Sequence, residues 1–270
     1  MYGYSYAYGY GGRRRRRVVY DSDAQALFSR ISPEPDPVRK AIINTTILML
    51  KAGGGWGKDD GFFMTAAHSL DAARTNWVGS SYKISLFNAP TFLADRYIKG
   101  DGSTSYGTTG YNPNTAPGAK YSQNDAHQAI FCRDDQAITR FACGHSRALL
   151  VPRLGTPTDS AAIRCNQTAG QNYTLPAPTS VGYLIYTRDN AADFRVKKDS
   201  ASPTTITQAS AGLAIAGDFM LCAASTTGNV ATNFDPHEIC HWSFGGNLSN
   251  SEMEQRRLAV VYYLTAIGAI

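Results

Sequence analysis

The chain has no apolar run of the roughly 18 residues that a membrane-crossing helix needs, so no transmembrane span is expected. Charge is sparse: Asp, Glu, Lys and Arg make up 17% of the 270 residues, against about 25% in an average soluble protein. No C-x-x-C pair occurs among the five cysteines, Cys132, Cys143, Cys165, Cys222 and Cys240. Their odd number and scattered spacing argue against a disulfide framework or thiolate metal site and for reduced, buried thiols. Charge imbalance is also missing outside one segment. The formal net charge of +5 resides in five consecutive arginines, because removing them from the 26 Lys and Arg leaves 21, equal to the 21 Asp and Glu. A basic groove across a folded nucleic-acid-binding domain is therefore not expected. With 43% hydrophobic residues the chain should bury a large core. Its length suits one large domain with an appendage.

What is present begins with a periodic arm. Tyr2, Tyr4, Tyr6, Tyr8 and Tyr10 alternate with small residues ahead of Arg13, Arg14, Arg15, Arg16 and Arg17. That order is the reverse of a secretion signal, in which basic residues precede an apolar stretch. In an extended strand, period two puts all five rings on one side. Residues 1–20 are read as an arm that lies along a neighbouring subunit, burying its tyrosines and pairing its arginines with acidic groups or phosphate. Five arginines neutralise at most about five phosphates, a weak basis for a nucleic-acid partner.

Residues 21–80 have helical periodicity. Asp21 can cap a short helix ending before Pro33, Pro35 and Pro37. Asp36 and Pro37 then start a second, whose apolar template is Val38, Ala41, Ile42, Thr45, Leu48, Met49 and Ala52, stopped by Gly53, Gly54 and Gly55. A third helical stretch is expected over Ser69 to Trp77. From Tyr82 onward short apolar or alternating runs are separated by Gly, Pro, Asn and Asp clusters, the spacing of an antiparallel β-sandwich. A final helix follows, for which Ser249 with Glu252 and Ser251 with Glu254 both offer a capping box. Its expected inner arc is Met253, Leu258, Val260, Val261, Leu264 and Ile267, with Gln255, Arg256, Ala259 and Tyr263 facing away.

Three stretches carry a family resemblance: YIKGDGSTSYGTTGYNPN (97–114), SQNDAHQAIF (122–131) and HWSFGGNLSNSEMEQRRLAVVYYLTAIG (241–268). They resemble the concanavalin A-like (laminin-G-like) jelly rolls of tailed-bacteriophage and prophage structural proteins. The helical lead-in DAQALFSRI, PVRKAIINTTILMLK and AAHSLDAARTNWV is similar to that of such proteins. The resemblance implies a mainly β chain: a 1–20 arm, a 21–80 helical attachment region and an 81–270 jelly roll with a C-terminal helix. It further implies a non-enzymatic virion component of tail-fibre, tail-tip or head-decoration type, assembled in the host bacterial cytoplasm. Its partners would be other virion proteins and further copies of itself, a closed oligomer such as a trimer being the default. The alternative is an adhesin that recognises host surface glycans.

Chemistry-bearing motifs are weak by comparison. AGGGWGKDD (52–60) misses the phosphate-loop pattern at both ends and reads as a glycine helix stop. Laminarinase-type relatives of this superfamily mount paired carboxylates on one strand, whereas the counterpart strand here offers Glu238 alone. His237, Cys240 and His241 do not converge if that strand is extended. No cofactor is expected; Asp101, Asp125 and Asp218 are the candidate rim ligands should Ca²⁺ bind as in laminin-G-like modules. Trp56, Trp77 and Trp242 are candidates for a glycan-stacking platform or for core. If the arm reading holds, a chain lacking residues 1–17 loses assembly or co-purification with its partners, and unchanged assembly would refute it.

Overall fold

The computed structural model describes residues 19–156, 159–168, 171–213 and 217–270. The ten arm residues Tyr2, Tyr4, Tyr6, Tyr8, Tyr10, Arg13, Arg14, Arg15, Arg16 and Arg17 lie outside the described residues. Helix α1 (Ser22–Phe28) begins where the Asp21 carboxylate accepts the Asp23 amide, and α2 (Pro37–Ala52) where Asp36 accepts the Arg39 amide. Strand β1 (Asp59–Met64) and α3 (Leu70–Arg74, capped by Ser69) complete the lead-in. Then come β2 (Ser85–Phe87), β3 (Thr91–Leu93), β4 (Tyr97–Lys99), β5 (Tyr106–Thr108), β6 (Ala126–Cys132), β7 (Cys143–His145) and β8 (Ala148–Val151). They are followed by β9 (Ser160–Cys165), β10 (Tyr173–Pro176), β11 (Gly182–Arg188), β12 (Asp193–Lys198) and β13 (Thr204–Thr207). The chain closes with β14 (Met220–Leu221), β15 (Ala224–Ser225), β16 (Ala231–Thr232), β17 (Glu238–Gly245) and α4 (Asn250–Ala266). Among the described residues, no helix is long and apolar enough to cross a membrane.

Two sheets face each other. The first runs β13-β12-β11-β6-β17, where the start of β17 pairs with β4, β4 in turn pairs with β3, and the end of β17 pairs with β1. The second runs β10-β9-β8-β7-β14-β5-β2, with β15 and β16 attached beside β7. Among the described residues every strand pairing is antiparallel except the Ser225–His145 bridge. The fold is thus a mainly β antiparallel jelly-roll sandwich with helices on the outer face of the first sheet. Between the sheets, Trp242 stacks on Phe63 (5.6 Å), and Phe244 packs on Phe219 and Tyr111, both at 4.8 Å. All five cysteines are buried and unpaired.

The lead-in departs from its helical reading. Phe62, Phe63 and Met64 belong to β1, which pairs with β17 in the middle of the first sheet. The run is apolar on both faces because both are covered: Phe63 meets Trp242 on the inner side, and Phe62 meets His241 and the Arg256 guanidinium under α4. Two glycines permit this pairing. A Cβ on Gly61 would stand 2.4 Å from the Phe244 ring, and one on Gly245 would stand 2.1 Å from the Lys58 carbonyl. Thr91 to Lys99 is a hairpin turned at Asp95, whose φ is +57°. Residues 138–142 form no strand; Phe141 instead packs on Leu149, Val151, Leu154 and Ala162 on the outer face of the second sheet.

Both long helices are rotated from their expected faces. In α2 the buried residues are Ile43, Thr46, Ile47 and Leu50, while Val38, Ala41, Leu48 and Ala52 are exposed. Thr46 tolerates burial because its hydroxyl donates to the Ile42 carbonyl (2.9 Å). In α4 Arg256, Ala259 and Tyr263 are buried beside Met253, Val260 and Leu264, and Leu258 is exposed. Arg256 can turn inward because Asp59 meets it there. Its Nη1 and Nη2 donate to the two Asp59 oxygens at 2.7 and 3.0 Å, with both side chains at most 1% exposed. Nη2 also donates to the Gly55 carbonyl (3.0 Å) and Nη1 to Ser243 Oγ (3.4 Å). Breaking such a pair strands a buried charge, so Asp59→Asn should cost about 3–5 kcal/mol in denaturant unfolding. An Asp59→Asn, Arg256→Met double variant should lose less than the two single losses added, and strict additivity would refute the coupling.

Candidate functional site

The described residues form an open cleft of about 470 Å³ at one end of the sandwich, lined by Gly57, Lys58, Ala119, Lys120, Ser122, Asp125, Gly246 and Asn247. Its walls are fixed from beneath. Asp59 and Asp60, neighbours on β1, point to opposite sides. Asp59 pairs with Arg256, whereas the Asp60 carboxylate accepts Tyr111 O–H (2.7 Å) and the Lys120 and Tyr121 amides (3.0 and 2.8 Å). That pins the 119–121 wall to the sheet, and Lys120 Nζ donates to the Asp59 carbonyl (2.7 Å). The opposite wall is the turn from β17 into α4. There His127 Nδ1 donates to the Gly246 carbonyl, and Asp125 Oδ1 accepts the Asn247 amide and its Nδ2 (2.9 Å). Lys58 Nζ reaches Glu252 Oε2 (2.8 Å), the residue that also caps α4.

Below the cleft the outer face of the first sheet carries a polar network. Ser243 Oγ accepts from Arg256 Nη1 and donates to His241 Nε2 (3.2 Å), and His241 Nδ1 donates to the Phe63 carbonyl (3.0 Å). Both His241 nitrogens are thereby used in the neutral ring. Burial, then the nearby Arg256 charge, hold His241 well below the ordinary histidine value and lower His127 as well. His127 Nε2 lies 3.2 Å from Asp59 Oδ1, outside hydrogen-bonding geometry. His145, buried between the sheets against Phe219, is pushed down to about 3 by burial, with Arg147 and Arg164 adding to the effect. His237 behaves oppositely. Against the burial that disfavours its charge, hydrogen bonding to Asp235 Oδ1 (2.7 Å) raises it, and Nε2 faces the Gln136 carbonyl (3.1 Å). Two acceptors on one ring require the imidazolium.

The motif residues singled out in the sequence fall in several places. Gly53 is the C-terminal cap of α2, and Gly55 accepts from Arg256. Glu238 is not in the cleft: it pairs with Arg133 (2.6 Å) and Lys99 (3.5 Å) at the other end of β17. His237 is held by Asp235, His241 lies under α4, and Cys240 is the extra residue of a bulge whose thiol donates to the Arg96 carbonyl (3.0 Å). The Asp101 carboxylate accepts the Ser103, Thr104 and Ser105 amides, which hold it far below the usual carboxylate range. Asp125 lines the cleft, and Asp218 binds Asn229 and Ser225 through its backbone. Among the described residues, no three His, Cys, Asp or Glu side chains come together as a metal site. Trp77 and Trp242 are core, and Trp56 is half-buried with its Nε1 on Asp23 (2.8 Å). An exposed aromatic surface lies elsewhere, where Phe87 stacks on Tyr106 (5.0 Å) and Tyr106 leans on Phe234 (6.0 Å). Cross-strand pairing of β2 with β5 creates it, so no single segment announced it.

No protein-family model matches this chain, and no curated protein matches it. Three solved structures share part of its shape. A mutant of Trypanosoma rangeli sialidase displaying trans-sialidase activity is 9% identical with a TM-score of 0.48, over 83% of this chain and 39% of that one. Domain 4 of AbnA, a GH43 extracellular arabinanase from Geobacillus stearothermophilus in complex with arabinotriose, is 13% identical with a TM-score of 0.42, over 73% and 100%. The botulinum neurotoxin serotype D binding domain is 7% identical with a TM-score of 0.45, over 77% and 52%. The chain thus spans about two fifths of the sialidase and half of the toxin domain. At TM-scores below 0.5, these similarities carry no functional inference, and the fold class rests on the strand pairing described above.

Four histidines are buried, and three of them are lowered. Unfolded histidines titrate near about 6.5, so below that value the unfolded chain binds more protons and stability falls with pH, by up to about 1.4 kcal/mol per pH unit for each lowered histidine. His237 acts in the opposite sense, its contribution complete below about 6.5 and lost as pH rises through its folded value. Three against one gives a lower melting temperature at about pH 5 than at about pH 7 by calorimetry, a difference that His145→Leu should shrink. A pH-independent melting temperature would contradict this balance.

Proposed function

We propose that the protein is a non-enzymatic saccharide-binding sandwich whose ligand sits in the cleft between the 119–125 wall and the Gly246–Asn247 turn. The lining carries this reading: two ammonium groups, a hydroxyl, a carboxylate and an amide surround about 470 Å³, with Ala119 contributing the only apolar side chain. Most small-molecule pockets are predominantly apolar. Alternating donors and acceptors around an open cleft suit a molecule whose surface is mostly hydroxyl. Hydrolysis is disfavoured because Asp125 is the only carboxylate in the lining. A two-carboxylate mechanism needs a second within about 5–9.5 Å with a free oxygen. Asp60, behind the wall, already accepts three donors.

A second reading, the virion component that the family resemblance implies, is favoured by the outer helical layer. Val38 is 71% and Leu48 48% exposed on α2, and Leu258 and Tyr262 are exposed on the adjacent α4. An uncharged stripe of this kind suits attachment to a larger assembly. The two readings are compatible in one protein.

Glycan-array binding of the full chain tests the first reading. A saccharide hit should weaken at least about tenfold, or about 1.4 kcal/mol, in Asn247→Ala and in Lys120→Ala. Lys120 is exposed and Asn247 half-buried, so melting temperatures should change little. A blank array would leave the attachment reading standing alone.

A further inference from the structure

At the same end of the sandwich as the cleft, three arginines gather without a carboxylate. Arg164, near the end of β9, is 5% exposed; its Nε donates to Asn172 Oδ1 (2.9 Å) and its Nη1 to the Ser146 carbonyl. Arg147, half-buried between β7 and β8, donates through Nη1 to the Ala211 carbonyl. Arg188, fully buried at the end of β11, donates through Nη2 to the Cys165 and Gln208 carbonyls (3.2 and 2.9 Å) with its guanidinium over Phe194. Arg147 and Arg188 therefore both bond to the 208–211 segment, which is tied to 165–167 through the Ala211 amide and the Asn166 carbonyl (2.8 Å), and Arg164 precedes that second segment directly in sequence.

Outside this locus six of the ten described arginines meet a carboxylate, while Arg30, Arg74, Arg96 and Arg140 donate to carbonyls. Arg39, Arg133, Arg153, Arg195, Arg256 and Arg257 each meet Asp or Glu within 3.0 Å. Since the body of the chain is charge-balanced, the surplus at this locus is local. Its effect is visible on His145, where Arg147 and Arg164 both oppose protonation and no carboxylate answers them. Arg164 itself is lowered by burial alone. Nη2 of Arg164, and Nε and Nη2 of Arg147, have no acceptor among the described residues. Planar donors of this kind match a two-oxygen acceptor better than a carbonyl does.

The locus is tied to the cleft. The Ser122 carbonyl accepts Asn166 Nδ2 (3.1 Å), and Gln123 Nε2 donates to Ser210 Oγ (2.9 Å), so the 122–123 wall rests on the segments that hold the arginines.

We infer that Arg147 and Arg164 form a binding site for an anionic oxygen group, a carboxylate or sulfate, and that the saccharide of the adjoining cleft is an acidic one. The second half rests on the saccharide reading above; the anion site stands without it.

Calorimetric titration of the full chain at low ionic strength tests this with three probes: a galacturonic acid trimer, the neutral galactose trimer, and sodium sulfate. The acidic trimer should bind at least about tenfold more tightly than the neutral one. Sulfate should raise the melting temperature and compete with the acidic trimer. Arg147→Met should abolish the acidic preference and the sulfate effect while leaving neutral-trimer affinity in place, whereas the charge-matched Arg140→Met should retain both. Should Arg147→Met fail to fold, Arg147→Lys keeps the charge but loses the planar fork, and most of the preference should go with it. Equal affinity for the two trimers with no sulfate effect, or a preference that survives in Arg147→Met, overturns the anion site while leaving the saccharide reading intact. An Arg147-dependent sulfate effect with neither trimer bound upholds the anion site and overturns the saccharide reading.

Discussion

A fully buried Asp59–Arg256 pair organises one face of this protein. Two opposite charges removed from water are tolerable only when each satisfies the other and the remaining donors find acceptors. Arg256 meets that condition at Nη1 and Nη2 through both Asp59 oxygens, the Gly55 carbonyl and Ser243 Oγ, leaving only its buried Nε without an acceptor. The pair therefore joins three elements distant in sequence: the turn after α2, strand β1 and helix α4. A bulge in the β1–β17 pairing, with Asp60 as its extra residue, lets Asp59 stay under α4 while Asp60 turns to the other side. There Asp60 latches the Lys120–Tyr121 backbone. One buried interaction thus positions both the helical layer and a wall of the cleft.

The two ends of the sandwich treat charge differently. Around the start of β17, Glu238, Asp134, Asp235 and His237 are matched by Arg133, Lys99 and one another, a closed set of ion pairs. At the opposite end, Lys120, Arg147, Arg164 and Arg188 bind carbonyl and amide oxygens instead. A cation paired with a carboxylate has little attraction left for a ligand, whereas one bonded to neutral oxygens keeps its charge available. The ligand readings proposed above are therefore confined to one end of a fold whose overall charge gives no hint of polarity.

Much of the local structure was legible. Asp21 and Asp36 each cap a helix as their side chains and neighbours suggested, Ser249 rather than Ser251 caps α4, and Gly53 ends α2. Turn clusters located most strands to within a few residues. What misled was the direction a side chain faces. Val38 and Leu48 look like core on a helical projection and are exposed, while Arg256 looks like surface and is buried. The candidate site was less legible. Asp125 was noted as a possible rim ligand, but Lys58, Lys120 and Asn247 carry no spacing rule, and nothing in their local sequence marks Arg147 and Arg164.

By itself the sequence determined the class of fold, the starts of the helices and the concentration of surplus charge in one short basic segment. Those properties depend on backbone chemistry and composition, which act over a few residues or over the whole chain. Only the tertiary structure decided that β1 enters the first sheet, which face of each helix is inward, and which cations lack a counter-charge. Each of these depends on a partner far away in sequence, as Asp59 is from Arg256, and a charge is buried or left unmatched only with respect to the neighbour that folding brings to it.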